Sequence, residues 1–115
     1  MAYSPLGRGF LTGAIKSRAE NDWRLTLPRF QDEAMIENLK FVEVIDQIAQ
    51  SKKVSKAQVA LAWVLSQNDE IISIPATRNV HRLEENVGAC KVELTQTDLA
   101  IIQKSLPSTT IGDRY

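Results

Sequence analysis

Ile71-Ile72-Ser73-Ile74-Pro75-Ala76-Thr77-Arg78-Asn79 is the stretch from which the fold is read. Ile71 to Ile74 is a β-branched run closed by a proline, short for a helix and suited to a buried parallel strand. Asn79 offers a side-chain acceptor to the open N–H groups of a first helical turn. The helix that it caps reaches about Gly88, a residue that suits the left-handed position just past a helix C-terminus. A strand that feeds a helix through so short a turn is an α/β unit, and residues 71–88 are read as a strand-to-helix phosphate-binding unit.

Upstream, Met35, Leu39, Val42, Ile45, Ile48 and Ala49 recur at three- and four-residue steps from Asp32 to about Gln50, which predicts a helix with one buried face. Glu37, Glu43 and Asp46 fall on its outer side. Ser51-Lys52-Lys53-Val54 breaks that pattern, and Ser55 with Gln58 forms a capping box for a second helix. The second helix is apolar around most of its circumference from Ala57 to Leu65, so it needs cover on several sides. Downstream, Thr95-Gln96-Thr97-Asp98 caps a short helix bearing Leu99, Ile102 and Leu106.

Residues 1–31 read as a long loop after a strand stub at Ala2-Tyr3-Ser4, with Gly7, Gly9, Gly13, Pro5 and Pro28 and no helical or strand period. This segment carries five basic and two acidic groups, whereas 32–51 carries one basic and five acidic. Unstructured connections longer than about 12 to 15 residues are usually functional. Two short strands this far apart in sequence do not make a covered parallel sheet by themselves, so sheet is missing from the order of elements.

With 115 residues, 43% hydrophobic and 24% charged, the chain is of globular composition and can bury a core. Its 14 Lys and Arg cancel its 14 Asp and Glu, so no net field attracts nucleic acid or acidic lipid. A helix-turn-helix reading fails because Lys56 is the only basic side chain of the candidate recognition helix. No apolar stretch approaches the roughly 20 residues of a membrane span. A lone Cys90 and the lack of a leader pattern favour a reducing cytoplasm.

Chemistry is expected where the strand gives way to the helix, because backbone donors and the helix dipole there attract anions. Arg78 and Arg82 lie four residues apart, a spacing that suits a grip on a phosphate and stacking on a flat ring. Glu85 and Asn86 follow on the same side, where they either hydrogen-bond an adenine edge or orient Arg82. The plainer reading is an exposed charged helix with i,i+4 pairs, and spacing alone does not choose. His81 has no second ligand at metal spacing and is read as solvated, so no metal site is expected. Cys90 is read as a small packing residue and Trp63 as core, while Trp23 in the long loop is weighed as a substrate-side or lid residue.

Tyr3-Ser4-Pro5-Leu6-Gly7-Arg8-Gly9-Phe10-Leu11-Thr12-Gly13 and Ile74-Pro75-Ala76-Thr77-Arg78-Asn79, with Arg82, Glu85, Asn86 and Gly88, resemble the last third of an aldo-keto reductase. Gly112-Asp113-Arg114-Tyr115 is similar to that family's terminal tail. The resemblance implies the C-terminal fragment of a (β/α)8 TIM barrel, α/β in class, mostly helical with two short parallel-type strands. It implies NADP(H) as cofactor, hydride transfer with a small carbonyl substrate in the complete enzyme, and no metal or flavin. By matching positions, Ser4, Leu6 and Arg8 lie along the nicotinamide-side ribose and pyrophosphate, within a cofactor and substrate loop over 1–31. Thr77, Arg78 and Asn79 hold the adenosine 2′-phosphate, and Arg82 stacks on adenine beside Glu85 and Asn86. The two arginines favour NADP over NAD.

Ala76 stands where the family often has glycine, a mild change at negative φ and a costly one in a left-handed turn. The family's catalytic Asp, Tyr, Lys and His come from earlier barrel strands, and no residue here matches any of them: Tyr3 and Tyr115 sit in other motifs and His81 in the phosphate helix. No catalytic residue is therefore expected in this chain. The alternative reading is a non-catalytic scaffold or partner-binding fragment that self-associates or completes its barrel with another chain.

Overall fold

The computed structural model describes residues 1–2, 4–13, 26–27 and 32–106, and of 32–35 and 37 the backbone alone. A kinked 3-10 turn, Gly7–Thr12, is followed by α1 (Asp32–Lys52), α2 (Lys56–Ser66), α3 (Val80–Gly88), a 3-10 turn at Ala89–Lys91 and α4 (Gln96–Ser105).

Local chemistry sets most of the helix boundaries. Gln58 donates its backbone N–H to Ser55 Oγ at 3.2 Å, and Ser55 returns its own to Gln58 Oε1 at 3.0 Å, so the predicted capping box opens α2. Thr95 and Asp98 exchange the same pair of bonds at the start of α4, at 3.2 and 2.8 Å. Helix α1 runs past the predicted end through Lys52, and Lys53 stops it with a left-handed φ of 56. The N–H groups of Lys53 and Val54 then reach back to the carbonyls of Gln50 and Ala49, at 3.2 and 3.0 Å, the two closing bonds of a Schellman motif.

The core lies between α1, α2 and α4. Ile45, Ile48 and Ala49 of α1, Val59 of α2 and Ile102 of α4 form one buried cluster, and Phe10 with Val42 forms another. Leu11 packs against both and so ties the N-terminal turn to the helices. Helix α2 is covered by α1, α3 and both 3-10 turns, which is why its apolar residues extend around most of its girth. Burying each side chain of the size of Val59, Leu61 or Ile102 contributes about 1.5–3 kcal/mol.

Several sequence expectations are corrected. The two short strands are not seen among the described residues, where pairing is limited to one parallel bridge between Ala2 and Ser73, with Ala2 N donating to Ile72 O at 2.7 Å. The run at Ile71–Ile74 is not buried on both faces, since Ile72 is 66% and Ile74 45% exposed. A parallel strand acquires cover only from neighbouring strands and helices, and here Ala2 alone pairs with it among the described residues. The beginning of the expected 1–31 loop is instead folded into tight turns, with backbone bonds from Gly7 to Ser4, Gly9 to Leu6 and Gly13 to Phe10.

Gly88 is not left-handed; its φ of −59 is helical and the chain tightens into a 3-10 turn beyond it. Glycine there leaves room for a neighbour, because a Cβ at Gly88 would stand 2.6 Å from Gln58 Nε2 of α2 and the Gln58 amide would have to shift. Cys90 is exposed rather than packed, since that 3-10 turn directs Ala89 inward instead. Trp63 packs against the main cluster while remaining partly accessible. Trp23, the Met35 and Glu37 side chains and the terminal tail lie outside what is described.

Candidate functional site

An open cleft of about 840 Å³ lies between the N-terminal turn, the segment after Ser73 and one face of α3. Ser4, Leu6 and Arg8 line one side, and Thr77, Arg82, Glu85 and Asn86 line the other. These seven predicted site residues come from opposite ends of the sequence and meet in one place. A second cavity, of about 210 Å³ and almost wholly apolar, sits among Phe10, Phe41, Trp63 and Ile102; it is small for a dinucleotide.

The N-terminal wall is built from unusual backbone. Ser4 and Arg8 take φ values of 51 and 58, and Gly7 and Gly9 take 55 and 91. Left-handed conformations at non-glycine residues cost about 1–3 kcal/mol each and concentrate where a ligand must be approached closely. Bonds within the turn hold them, including Thr12 Oγ1 donating to Gly9 O at 2.6 Å.

The opposite wall is organised by the start of α3. Asn79 caps it as predicted, its Oδ1 accepting from Arg82 N at 3.2 Å. Thr77 Oγ1 accepts from Asn79 N at 3.1 Å, which fixes the turn and leaves the hydroxyl proton available for donation. Ala76 lies outside the left-handed region, so its replacement of glycine is mild.

Arg82 lines the cleft but Arg78 does not; Arg78 is exposed, between Thr77 and Asn79. The Asn79 side chain is likewise engaged at the cap rather than in the lining. Among the described residues neither arginine forms an ion pair with a carboxylate. Arg8, Arg82 and Glu85 are the charged residues of the lining, and a guanidinium such as that of Arg82 suits both a phosphate and a flat ring. The His81 side chain is 98% exposed, with Glu84 Oε2 3.9 Å from its Nδ1, and is not part of the cleft lining.

Pro5, Gly9, Thr12, Ala57, Ile74, Pro75 and Ala76 complete the lining, and none of them is among the site residues expected from sequence. Ala57 belongs to the first turn of α2, and no local signal places that turn beneath a cleft formed by two distant segments. Among the described residues no group of His, Cys, Asp and Glu is arranged to hold a metal ion, and no helix is long and apolar enough to cross a membrane.

The chain is 44% identical to the aldo-keto reductase yakc (NADP(+)) of Schizosaccharomyces pombe, over all of its own length and 35% of that protein. It is 42% identical to aldo-keto reductase str7 of Strobilurus tenacellus, over 99% of its own length and 35% of that protein. It thus spans about a third of the curated relatives that it matches. The model of the Aldo/keto reductase family, whose fold is a (β/α)8 barrel, matches residues 1–107. The chain belongs to the aldo/keto reductase family.

Proposed function

We propose that this chain is the cofactor-binding C-terminal part of an NADP(H)-dependent aldo-keto reductase that reduces aldehydes and ketones by hydride transfer. The observation that carries this reading is the meeting of Ser4, Leu6 and Arg8 with Thr77, Arg82, Glu85 and Asn86 in one cleft. The volume, about 840 Å³, is in the range that accommodates a large polar ligand. The bound nicotinamide would supply the hydride, and the residues of this chain would bind and orient it.

Residues 1–31 are the cofactor and substrate loop, and 71–88 the phosphate-binding unit. Ser4, Leu6 and Arg8 lie along the nicotinamide-side ribose and pyrophosphate, where left-handed backbone lets main-chain groups approach closely. Thr77, Arg78 and Asn79 hold the 2′-phosphate: the Thr77 hydroxyl donates, Arg78 swings in from an exposed position, and Asn79 orients the turn through its cap. Arg82 stacks on adenine, with Glu85 and Asn86 on the ring edge.

No residue of this chain is assigned as the acid that protonates the developing alkoxide, a role worth about 10²–10⁴-fold in rate. The 115-residue chain should bind NADPH saturably in a fluorescence titration yet leave it unoxidised in the presence of an aldehyde. Absence of saturable binding contradicts the cofactor role, and steady NADPH oxidation contradicts the assignment of no catalytic acid. The single thiol, Cys90, is free and exposed, which fits a reducing cytoplasm.

A second reading, a non-catalytic scaffold that self-associates or completes its barrel with another chain, is favoured by one observation. Val80, Leu83 and Val87 form an exposed stripe on α3, and Ile72 and Ile74 are exposed as well. Gel filtration tests it: a concentration-independent monomer with cooperative melting contradicts dependence on a partner.

A further inference from the structure

Resting on the nucleotide reading above, we propose that Gln58 is a positioning residue that holds the Arg82–Glu85–Asn86 face of α3 against the cleft. Its side-chain amide is used at both ends. Oε1 accepts from Ser55 N at 3.0 Å within α2's own cap, while Nε2 donates across to the Glu85 carbonyl of α3 at 3.0 Å.

That carbonyl has a particular need of a donor. In a continuing α-helix it would receive the N–H of Ala89, four residues on. Here Ala89 turns its N–H to the carbonyls of Asn86 and Val87 as the helix tightens. Gln58 supplies the donor, and Gly88 leaves the room for it, since a Cβ there would stand 2.6 Å from Nε2. Helix α3 packs on α2 and on the 3-10 turn that follows it. Ala57, immediately before Gln58, lines the cleft floor, so this single amide joins floor to wall. Arg82, Glu85 and Asn86 all lie within one turn of the bonded carbonyl.

Two variants separate this role from simple capping. Gln58→Glu keeps an oxygen acceptor for Ser55 N but sets an acceptor against the Glu85 carbonyl; Ser55→Ala removes the other half of the cap and leaves the α2–α3 bond. With the 115-residue chain, Gln58→Glu is expected to lower NADPH affinity about 3- to 10-fold, the range of one lost neutral hydrogen bond. Hydrogen-exchange protection should fall in α3 and not in α2. The protection lost relative to wild type should return as pH is lowered through the introduced carboxyl's pKa, because the protonated group donates again. Ser55→Ala is expected to lower thermal stability with NADPH affinity unchanged.

Unchanged affinity and α3 protection in Gln58→Glu, or equal losses of affinity in the two variants, would overturn the positioning role. A wild-type chain that binds no NADPH overturns the nucleotide reading itself and the positioning role with it. Wild-type binding with an unaffected Gln58→Glu overturns the positioning role alone.

Discussion

Lys52 Nζ, in the last turn of α1, lies 2.8 Å from Asp98 Oδ2, in the first turn of α4, so one ion pair ties the end of one helix to the beginning of another. Asp98 also accepts from the Thr95 N–H and hydroxyl, both at 2.8 Å. Burial pushes the carboxyl up, but the bonds from Lys52 and Thr95 outweigh it and hold its pKa below the usual carboxylate value.

Stability should therefore fall on acidification in a defined way. A carboxyl with a depressed folded pKa contributes fully above its unfolded value of about 3.9 and loses that contribution as pH drops through the folded pKa. Asp98→Asn should cost about 1 kcal/mol near pH 7, with the wild-type advantage shrinking below about pH 4. Melting temperatures of both proteins between pH 3 and 7 check this; a gap that is constant with pH contradicts it.

Lys53 closes α1 in a left-handed conformation that glycine adopts without a Cβ penalty. Lys53→Gly should stabilise the chain by about 0.5–1 kcal/mol, because the penalty removed slightly exceeds the added unfolded-state entropy. Urea unfolding measures it, and a destabilised variant would show that the Lys53 side chain makes a compensating contact.

Gly88 is helical, so alanine there would ordinarily stabilise by about 0.5–1 kcal/mol. Its Cβ, however, would displace the Gln58 amide from the Glu85 carbonyl. Gly88→Ala should be neutral or destabilising in the wild type and stabilising in a Gln58→Ala background. A double-mutant cycle with no coupling between the two positions contradicts this account.

How far the fold could be read from sequence follows the range of the interactions. The caps at Ser55, Asn79 and Thr95 are made with residues three positions on, and the buried set Val42, Ile45, Ile48 and Ala49 declares itself by period, so both were legible. The exposure of Ile72 and Ile74 depends on what pairs with them, which a β-branched run does not disclose. Gly88 was misread because glycine answers two needs, positive φ and close approach, and only tertiary packing distinguishes them. Left-handed Ser4 and Arg8 give no local sign either, since both are side-chain-bearing residues held by their turn.

At the site, the residue types were legible and their directions were not. The i,i+4 spacing of Arg78 and Arg82 permits convergence, but Arg78 precedes the helix and is not bound by helical geometry. Only Arg82 reaches the lining.

Arg82→Ala should weaken NADPH and NADH alike, about 3- to 10-fold, because stacking on adenine is common to both nucleotides. Parallel fluorescence titrations check this. A loss confined to NADPH would assign Arg82 to the 2′-phosphate instead.

The most direct test of the central claim is calorimetric titration of NADPH and NADH into the wild-type chain and Arg78→Ala. A charge-assisted contact to phosphate is worth about 1.5–3 kcal/mol, so the variant should lose about 10- to 100-fold in NADPH affinity with NADH unchanged. Equal wild-type affinity for the two nucleotides, or an Arg78→Ala chain that binds NADPH as tightly as wild type, would contradict a 2′-phosphate held at the start of α3.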